Sequence, residues 1–179
     1  MIHIISYLDD FLIIGRTKEE VIQARDSTLF FLMQLGFTIN LEKSVLNPTQ
    51  EIEFLGMMIN SLSMGVWLLV EKVKKLLEIC REYLSQGKLT LRELASLIGK
   101  LYSTQPAIAM APLQVRVLQQ KLIIAQQNQM NYGQVIQFNL ESKKELKWWV
   151  SNLTLLKGNP VRPGNPDMII YSDASSDQG

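Results

Sequence analysis

The chain has 179 residues, 47% of them hydrophobic and 20% charged, a globular composition that excludes disordered, collagen-like and low-complexity classes. Its 18 basic and 17 acidic side chains give a net charge of +1, which excludes a uniformly basic, histone-like surface. One Cys and one His exclude an internal disulfide and a structural zinc site. The sequence shows no secretory signal and no apolar run near the ~20 residues of a membrane span, so we expect an intracellular protein, cytoplasmic or nuclear, with no membrane partner.

The first fifteen residues have the pattern of a β-hairpin. Apolar runs at 2–7 and 11–15 flank the acid pair Asp9–Asp10, which predicts two strands that are both largely buried. Asp favours turns, but tight hairpins prefer Asn-Gly or Asp-Gly, and adjacent carboxylates repel each other unless a cation lies with them. Hard carboxylate oxygens suit Mg²⁺, so a plain turn and a metal site are both open at this point.

The next elements are a helix and short strands. Thr17 and Glu20 have the spacing of a capping box, and Gly36 fits the position just past the helix end. Three short strands are expected to follow, at residues 37–41, 51–60 and 66–68.

From residue 71 the apolar spacing becomes helical. The first helix of this zone ends at Gly87, and Thr90 with Glu93 forms a capping box for the second, which stops before Pro106. A third helix is expected at about residues 112–127, and Asn139 caps a fourth. Residues 157–166 then read as a Pro- and Gly-containing linker, and residues 168–173 as a new strand.

These elements predict an α+β chain with three zones. Residues 1–70 carry 4 basic and 8 acidic side chains, residues 71–157 carry 13 and 6, and residues 158–179 carry 1 and 3. The helical zone is therefore the basic one, which favours phosphate contacts, although lysines on solvated helix faces explain part of this charge. The chain ends on a new strand that has no partner, and it begins abruptly with a hairpin strand at residue 2, so we expect a fragment of a longer polypeptide or a misjudged gene start.

Several motifs resemble those of reverse transcriptases, in family order. Tyr7-Leu8-Asp9-Asp10 resembles the Tyr-X-Asp-Asp hairpin of the polymerase palm. Residues 35–44, a helix end that leads to Lys43, resemble the motif that follows, and Phe54-Leu55-Gly56 resembles the primer-grip hairpin. Residues 90–101 are similar to a segment after the palm in retroelement polymerases, most of all the DIRS-like, tyrosine-recombinase group of retrotransposons.

The end of the chain resembles a second enzyme domain. Residues 171–175, with Asp173, resemble the first strand of an RNase H domain. The resemblance therefore implies three parts: the C-terminal half of a palm at 1–70, a helical thumb and connection at 71–157, and a linker with the truncated start of an RNase H-like α/β domain at 158–179. It implies an RNA-directed DNA polymerase whose partners are an RNA or DNA primer–template and deoxynucleoside triphosphates.

The resemblance also implies roles for the acid pair and a lysine. The family uses two Mg²⁺ or Mn²⁺ ions to hold the attacking and leaving oxygens. Asp9 would coordinate metal directly, and Asp10 would be a second ligand or an electrostatic support. Lys43 would lie near the triphosphate and assist departure of the pyrophosphate, against the alternative of a solvated lysine on a loop.

Further roles are implied for the hairpin tyrosine, the primer grip and the last acid. Tyr7 would lie below the nucleotide and primer end, or would simply pack in its strand. Phe54, Leu55 and Gly56 would grip the primer, since glycine allows close approach of backbone, or Gly56 would mark a bulge. Asp173 would be the first metal carboxylate of RNase H, or an ordinary strand-end Asp.

The family takes a further metal carboxylate and its fingers from residues upstream of the hairpin, and RNase H needs more acids downstream. We therefore expect the isolated chain to lack both polymerase and nuclease activity. The alternative is a catalytically dead, nucleic-acid-binding remnant of a retrotransposon. The sequence does not determine an oligomeric state.

Overall fold

The structure is a computed structural model that describes residues 1–155 and 158–161. It divides into two compact units, residues 1–55 and 56–179. The elements of unit 1 are strand β1 (His3–Tyr7), strand β2 (Asp10–Ile14), helix α1 (Lys18–Gln34) and strand β3 (Glu51–Phe54). These bounds confirm the predicted hairpin and the first helix.

The hairpin is more exposed than its sequence predicts. In the antiparallel pair, Ile4 faces Ile13 and Ile5 faces Leu12, but only Leu12 is buried. Ile4 is 52% exposed and Phe11 41% exposed. The prediction of two largely buried strands is therefore wrong for the described residues. Apolar alternation shows that a strand is suited to being covered, whereas its burial depends on neighbours that this pattern does not specify.

Helix α1 begins and ends with local signals, although one differs from the prediction. The Thr17 hydroxyl accepts a hydrogen bond from the Glu20 N–H at 3.2 Å, but the Glu20 carboxylate accepts from the Arg16 N–H instead of closing a capping box. At the other end Gly36 has φ +87°, and the N–H of Phe37 donates to the Leu32 carbonyl in a Schellman arrangement. The glycine at this end is therefore confirmed as a helix stop.

Two strand predictions in this region need correction. Residues 37–41 form no strand, because Asn40 instead accepts the Lys43 N–H at 3.2 Å and turns the chain. Residues 51–60 are not one strand, because Leu55 and Gly56 both have positive φ, at +52° and +71°. Such angles occur in tight turns and interrupt an extended run.

Unit 2 begins with an antiparallel hairpin, strands β4 (Met57–Asn60) and β5 (Gly65–Leu68), as predicted. Helices α2 (Val70–Gln86), α3 (Leu91–Tyr102), α4 (Arg116–Gln127) and α5 (Leu140–Asn152) follow. A 3₁₀ turn, Leu113–Val115, precedes α4, so this helix starts later than its predicted residue 112. Among the described residues, no helix combines the length and apolar character needed to cross a membrane.

The helix signals of this unit are confirmed. Gly87 ends α2 with φ +67°, and both hydrogen bonds of the capping box between Thr90 and Glu93 are present. Helix α2 packs against α5, and α4 packs against α3 and α5. The predicted apolar faces meet in one core, whose most buried members include Cys80, Leu91, Leu94, Leu101, Leu118, Leu146 and Trp149.

Three short strands of unit 2 lie outside the predicted pattern. Strand β6 (Lys88–Thr90) pairs with β7 (Val135–Gln137), and β8 (Asn159–Pro160) pairs with β5. A strand of two or three residues is too short to show an alternation of apolar and polar side chains. Such a strand is therefore defined only by the distant strand with which it pairs. Strand β8 lies within residues 157–166, which the sequence indicates as a linker.

Candidate functional site

The tip of the β1–β2 hairpin is the centre of the candidate site. Tyr7 and Asp10 face each other as the last antiparallel pair, and Leu8 and Asp9 form a two-residue turn. Leu8 has φ +53°. A left-handed conformation costs a non-glycine residue about 1–2 kcal/mol, and strain of this kind clusters at functional sites. The turn therefore holds Leu8 in a strained conformation that glycine at this position would adopt at lower energetic cost.

Both aspartates are exposed at this tip. Within the described residues neither carboxylate accepts a hydrogen bond or pairs with a basic side chain. Adjacent carboxylates without a protein partner are free to bind a divalent cation, and Mg²⁺ commonly takes one or two protein carboxylates together with substrate phosphates. The part of the chain that the structure describes contains no group of three or more potential metal ligands. The hairpin thus presents two adjacent exposed carboxylates that have no protein partner among the described residues.

Tyr7 is 56% exposed on the strand that leads into the turn. By the alternation of side chains in a strand, it lies on the same face of the hairpin as Asp10 and Leu12. An aromatic ring beside a carboxylate on one face can contact a sugar or base next to a metal-bound phosphate.

Lys43 is exposed at the end of the turn that follows Phe37–Asn40. Its backbone N–H is fixed by Asn40, whereas its ammonium group makes no ion pair with a described residue. Among the described residues no hydrogen bond or ion pair joins Lys43 to the acid pair. The structure therefore provides a free cation on this loop and leaves its role a prediction.

The residues of the predicted primer grip are half-buried, and the boundary of the two units falls between Leu55 and Gly56. A Cβ on Gly56 would lie 3.5 Å from Lys72 Cδ, an ordinary contact, so the positive φ and not crowding is what favours glycine there. Burial lowers the pKa of Lys72, which forms no ion pair among the described residues. Asp173, the predicted RNase H carboxylate, lies outside the described residues.

One surface of α3 was not predicted as functional. Its exposed side carries Arg92, Glu93, Ser96, Gly99 and Lys100, opposite the buried leucines, and the Glu93 carboxylate is held in the capping box with Thr90. A Cβ added to Gly99 would meet no atom within 4 Å. Glycine inside a helix costs about 1 kcal/mol relative to alanine, and nothing in the packing requires it here. The sequence feature that could have indicated this surface is a glycine within a helical pattern that also contains basic residues.

Comparisons with known proteins show similarity in the N-terminal sequence and in the fold. A family model described as reverse transcriptase (RNA-dependent DNA polymerase) matches residues 1–59. A search of curated proteins found no match. Two solved structures share the fold: a foamy viral protease–reverse transcriptase with an RNA/DNA hybrid, at 22% identity and a TM-score of 0.57, and a dRH form of it with double-stranded DNA, at 21% and 0.54.

The likeness to both structures extends over 88% of this chain, but over only 19% and 25% of the respective viral chains. The chain therefore has the mixed α+β fold of part of a reverse transcriptase, and it spans a minor part of the length of these proteins.

Proposed function

We propose that this chain is part of an RNA-directed DNA polymerase, with residues 1–70 as the C-terminal half of the palm and 71–157 as thumb and connection. The observation that carries the proposal is the pair of unpartnered carboxylates at a strained hairpin tip, inside the segment that matches the reverse transcriptase model. The reaction is nucleotidyl transfer to the 3′ end of a primer.

Asp9 is proposed as a direct ligand of a catalytic Mg²⁺ or Mn²⁺, and Asp10 as a second ligand or an electrostatic support. A metal held by these carboxylates would supply stabilisation of the attacking and leaving oxygens of an in-line displacement. The strained turn places Asp9 and Asp10 side by side at the hairpin tip, and Tyr7, on the same face as Asp10, would limit the position of the nucleotide and primer end. Because these groups are placed before the substrate arrives, little reorganisation is needed at the moment of reaction.

The other proposed roles belong to the nucleotide and the primer. Lys43 offsets negative charge on the triphosphate of the incoming nucleotide as pyrophosphate leaves. Phe54, Leu55 and Gly56 hold the primer, and the positive φ of the last two turns the backbone sharply at this point.

The proposed thumb surface is the exposed side of α3. Arg92 and Lys100 supply cations for phosphates, and Gly99 lets a nucleic-acid backbone approach the helix closely. The charge of residues 71–157, 13 basic against 6 acidic side chains, supports the same assignment. The proposed ligand is a primer–template duplex, because Arg92 and Lys100 lie two helical turns apart along one side of α3, where they can meet phosphates of one backbone.

Two finer assignments rest on motifs alone. Similarity of residues 90–101 to DIRS-like retroelements supports membership of that group, and residues 171–175 support an attached RNase H domain with Asp173 as a metal carboxylate. Both are proposals that sequence context on the encoding DNA can test.

We also propose that the 179-residue chain by itself does not extend primers. Within the described residues the metal centre has two adjacent carboxylates and no third potential ligand near them. The chain would then act as a nucleic-acid-binding element, which is also what a decayed retrotransposon remnant would do. Mg²⁺-dependent extension of a primer by the purified chain, abolished by Asp9→Asn, would contradict this.

Metal binding at the hairpin can be tested by paramagnetic broadening. Mn²⁺ added to the isotopically labelled chain broadens the NMR signals of amides near it, even when binding is weak. We expect the earliest broadening at Leu8, Asp9 and Asp10, and its loss in the double variant Asp9→Asn, Asp10→Asn.

The matched control is the double variant Glu51→Gln, Glu53→Gln, which removes two exposed acids from strand β3 of the same unit. This control should leave the broadening at the hairpin unchanged. Equal broadening at Glu51, Glu53 and the hairpin would mean general surface attraction and would remove the support for a metal site.

A further inference from the structure

Residues 158–161 do not form the free linker that the sequence predicts. Asn159 faces Val66 and Pro160 faces Gly65 in antiparallel pairing with β5, and the Val161 N–H donates to the Met64 carbonyl at 2.7 Å. This four-residue segment has three successive paired positions, so it is bound along the β4–β5 hairpin and is not a free extension of α5.

Trp67 and two glycines explain how this segment fits. Gly158 has φ +91°, and a Cβ on it would overlap Trp67 Cδ1 and lie 2.5 Å from the Val66 carbonyl oxygen. A Cβ on Gly65 would lie 2.8 Å from Trp67 Cη2, at the six-membered end of the same indole. Real Cβ atoms do not approach so closely, so both positions admit only glycine while the indole keeps its place.

We propose that Gly158–Val161 is a strap that is anchored to the β4–β5 hairpin by the Trp67 indole. Any side chain at Gly158 would both clash with the ring and occupy a left-handed conformation, so the position is doubly restricted. The consequence is mechanical: displacement of the Trp67 indole or of the β4–β5 hairpin would release Gly158–Val161 from its pairing. This inference does not depend on the proposed polymerase function.

Trypsin provides the first test, because the bond between Lys157 and Gly158 is a tryptic site whose following residues lie in the strap. A protease must draw Gly158–Pro160 into its cleft, so cleavage reports opening of the strap. We expect this bond to be cut about tenfold or more faster in Gly158→Val than in the unchanged chain. Gly133→Ala is the control, since a Cβ there makes only an ordinary contact at 3.5 Å.

A disulfide provides a second test that does not rely on the folding of the Gly158 variant. Facing residues of an antiparallel pair have Cα atoms about 4.5–5.5 Å apart, within reach of a disulfide. We expect Met64→Cys with Val161→Cys to oxidise readily in the native chain and slowly in urea. Cys80 does not compete, because it is fully buried and burial raises its pKa to about 12.

Slow cleavage in the unchanged chain together with native-state disulfide formation supports the strap. Cleavage of the unchanged chain after Lys157 as fast as in Gly158→Val, or a disulfide that forms no faster in the native chain than in urea, overturns it.

Discussion

Glu145 shows how a single buried side chain can hold two helices together. It lies on α5 and is 8% exposed, and its two carboxylate oxygens accept the N–H groups of Val117 at 2.7 Å and Leu118 at 3.0 Å. Those groups belong to the first turn of α4, whose N-cap residue Val115 provides no side-chain acceptor. The carboxylate therefore caps α4 from another helix.

Replacement of this cap should destabilise the second unit. Glu145→Ala leaves two N–H groups at the start of α4 without a partner, which we expect to lower the free energy of unfolding by about 1–3 kcal/mol. Glu141→Ala on the same helix removes only an exposed ion pair with Lys144 and should change it by less than about 0.5 kcal/mol. Urea unfolding followed by circular dichroism measures both values, and equal effects of the two variants would contradict the assignment.

The same residue should produce a pH dependence. Burial raises the pKa of Glu145 above its ordinary value of 4.5, and the backbone N–H groups of Val117 and Leu118 oppose this only in part. The folded state then binds its proton more tightly than the unfolded state does, so this contribution to stability is complete below pH 4.5 and is lost as the pH rises through the folded pKa. The stability difference between the unchanged chain and Glu145→Ala should therefore shrink with rising pH. A difference that grows with pH would contradict it.

In helix α3, one substitution should change stability and nucleic-acid binding in opposite directions. Gly99→Ala should raise the stability of the chain by about 0.5–1 kcal/mol, because alanine favours a helix and its Cβ meets no neighbour. The same methyl group should weaken primer–template binding if nucleic acid approaches this face, and Gly99→Glu should weaken it by about fivefold or more, or ~1 kcal/mol. Ser27→Ala, an equally small change at an exposed position of helix α1, should leave binding unchanged.

Opposite signs for stability and affinity are the signature of a functional glycine. Calorimetric unfolding and fluorescence anisotropy on a labelled duplex measure the two quantities on the same samples. Unchanged affinity in both Gly99 variants would show that this face of α3 does not meet nucleic acid.

Elements whose signals are local were predictable from the sequence. Thr90, Glu93 and Gly87 act within one turn of their own helices, so spacing alone located them. Strands β6 and β7 were missed because each is three residues long and is defined by a partner more than forty residues away. The break at Leu55 was missed because leucine gives no sign of the positive φ that tertiary structure imposes on it.

The features of the candidate site were likewise predictable only where their signals are local in the sequence. The acid pair between apolar runs located the hairpin tip, and the structure confirms the hairpin. The strain at Leu8, the exposure of both strands and the open face at Gly99 depend on the three-dimensional surroundings, which a pattern of residue types does not contain. The roles of Asp9, Asp10 and Lys43 stay predictions until metal and nucleotide binding are measured.

Over the whole molecule, the distribution of charge matches the proposed metal-binding and phosphate-binding parts of the chain. Residues 1–70 carry a net charge of −4 from 4 basic and 8 acidic side chains, and residues 71–157 carry +7 from 13 and 6. Acidic residues occur where metal is proposed to bind, and basic residues where phosphates are. A helical interaction module without a nucleic-acid ligand would have no need of this separation.

Primer–template affinity as a function of salt tests the central claim most directly. Anisotropy of a labelled duplex, titrated with the 179-residue chain between about 50 and 200 mM salt, gives both affinity and the number of phosphate contacts, since each contact adds about −0.9 to the logarithmic slope. We predict binding at the lowest salt, a slope that corresponds to several contacts, and a smaller slope for Lys100→Ala. No binding at low salt, or binding that does not respond to salt, would contradict a role in nucleic-acid synthesis.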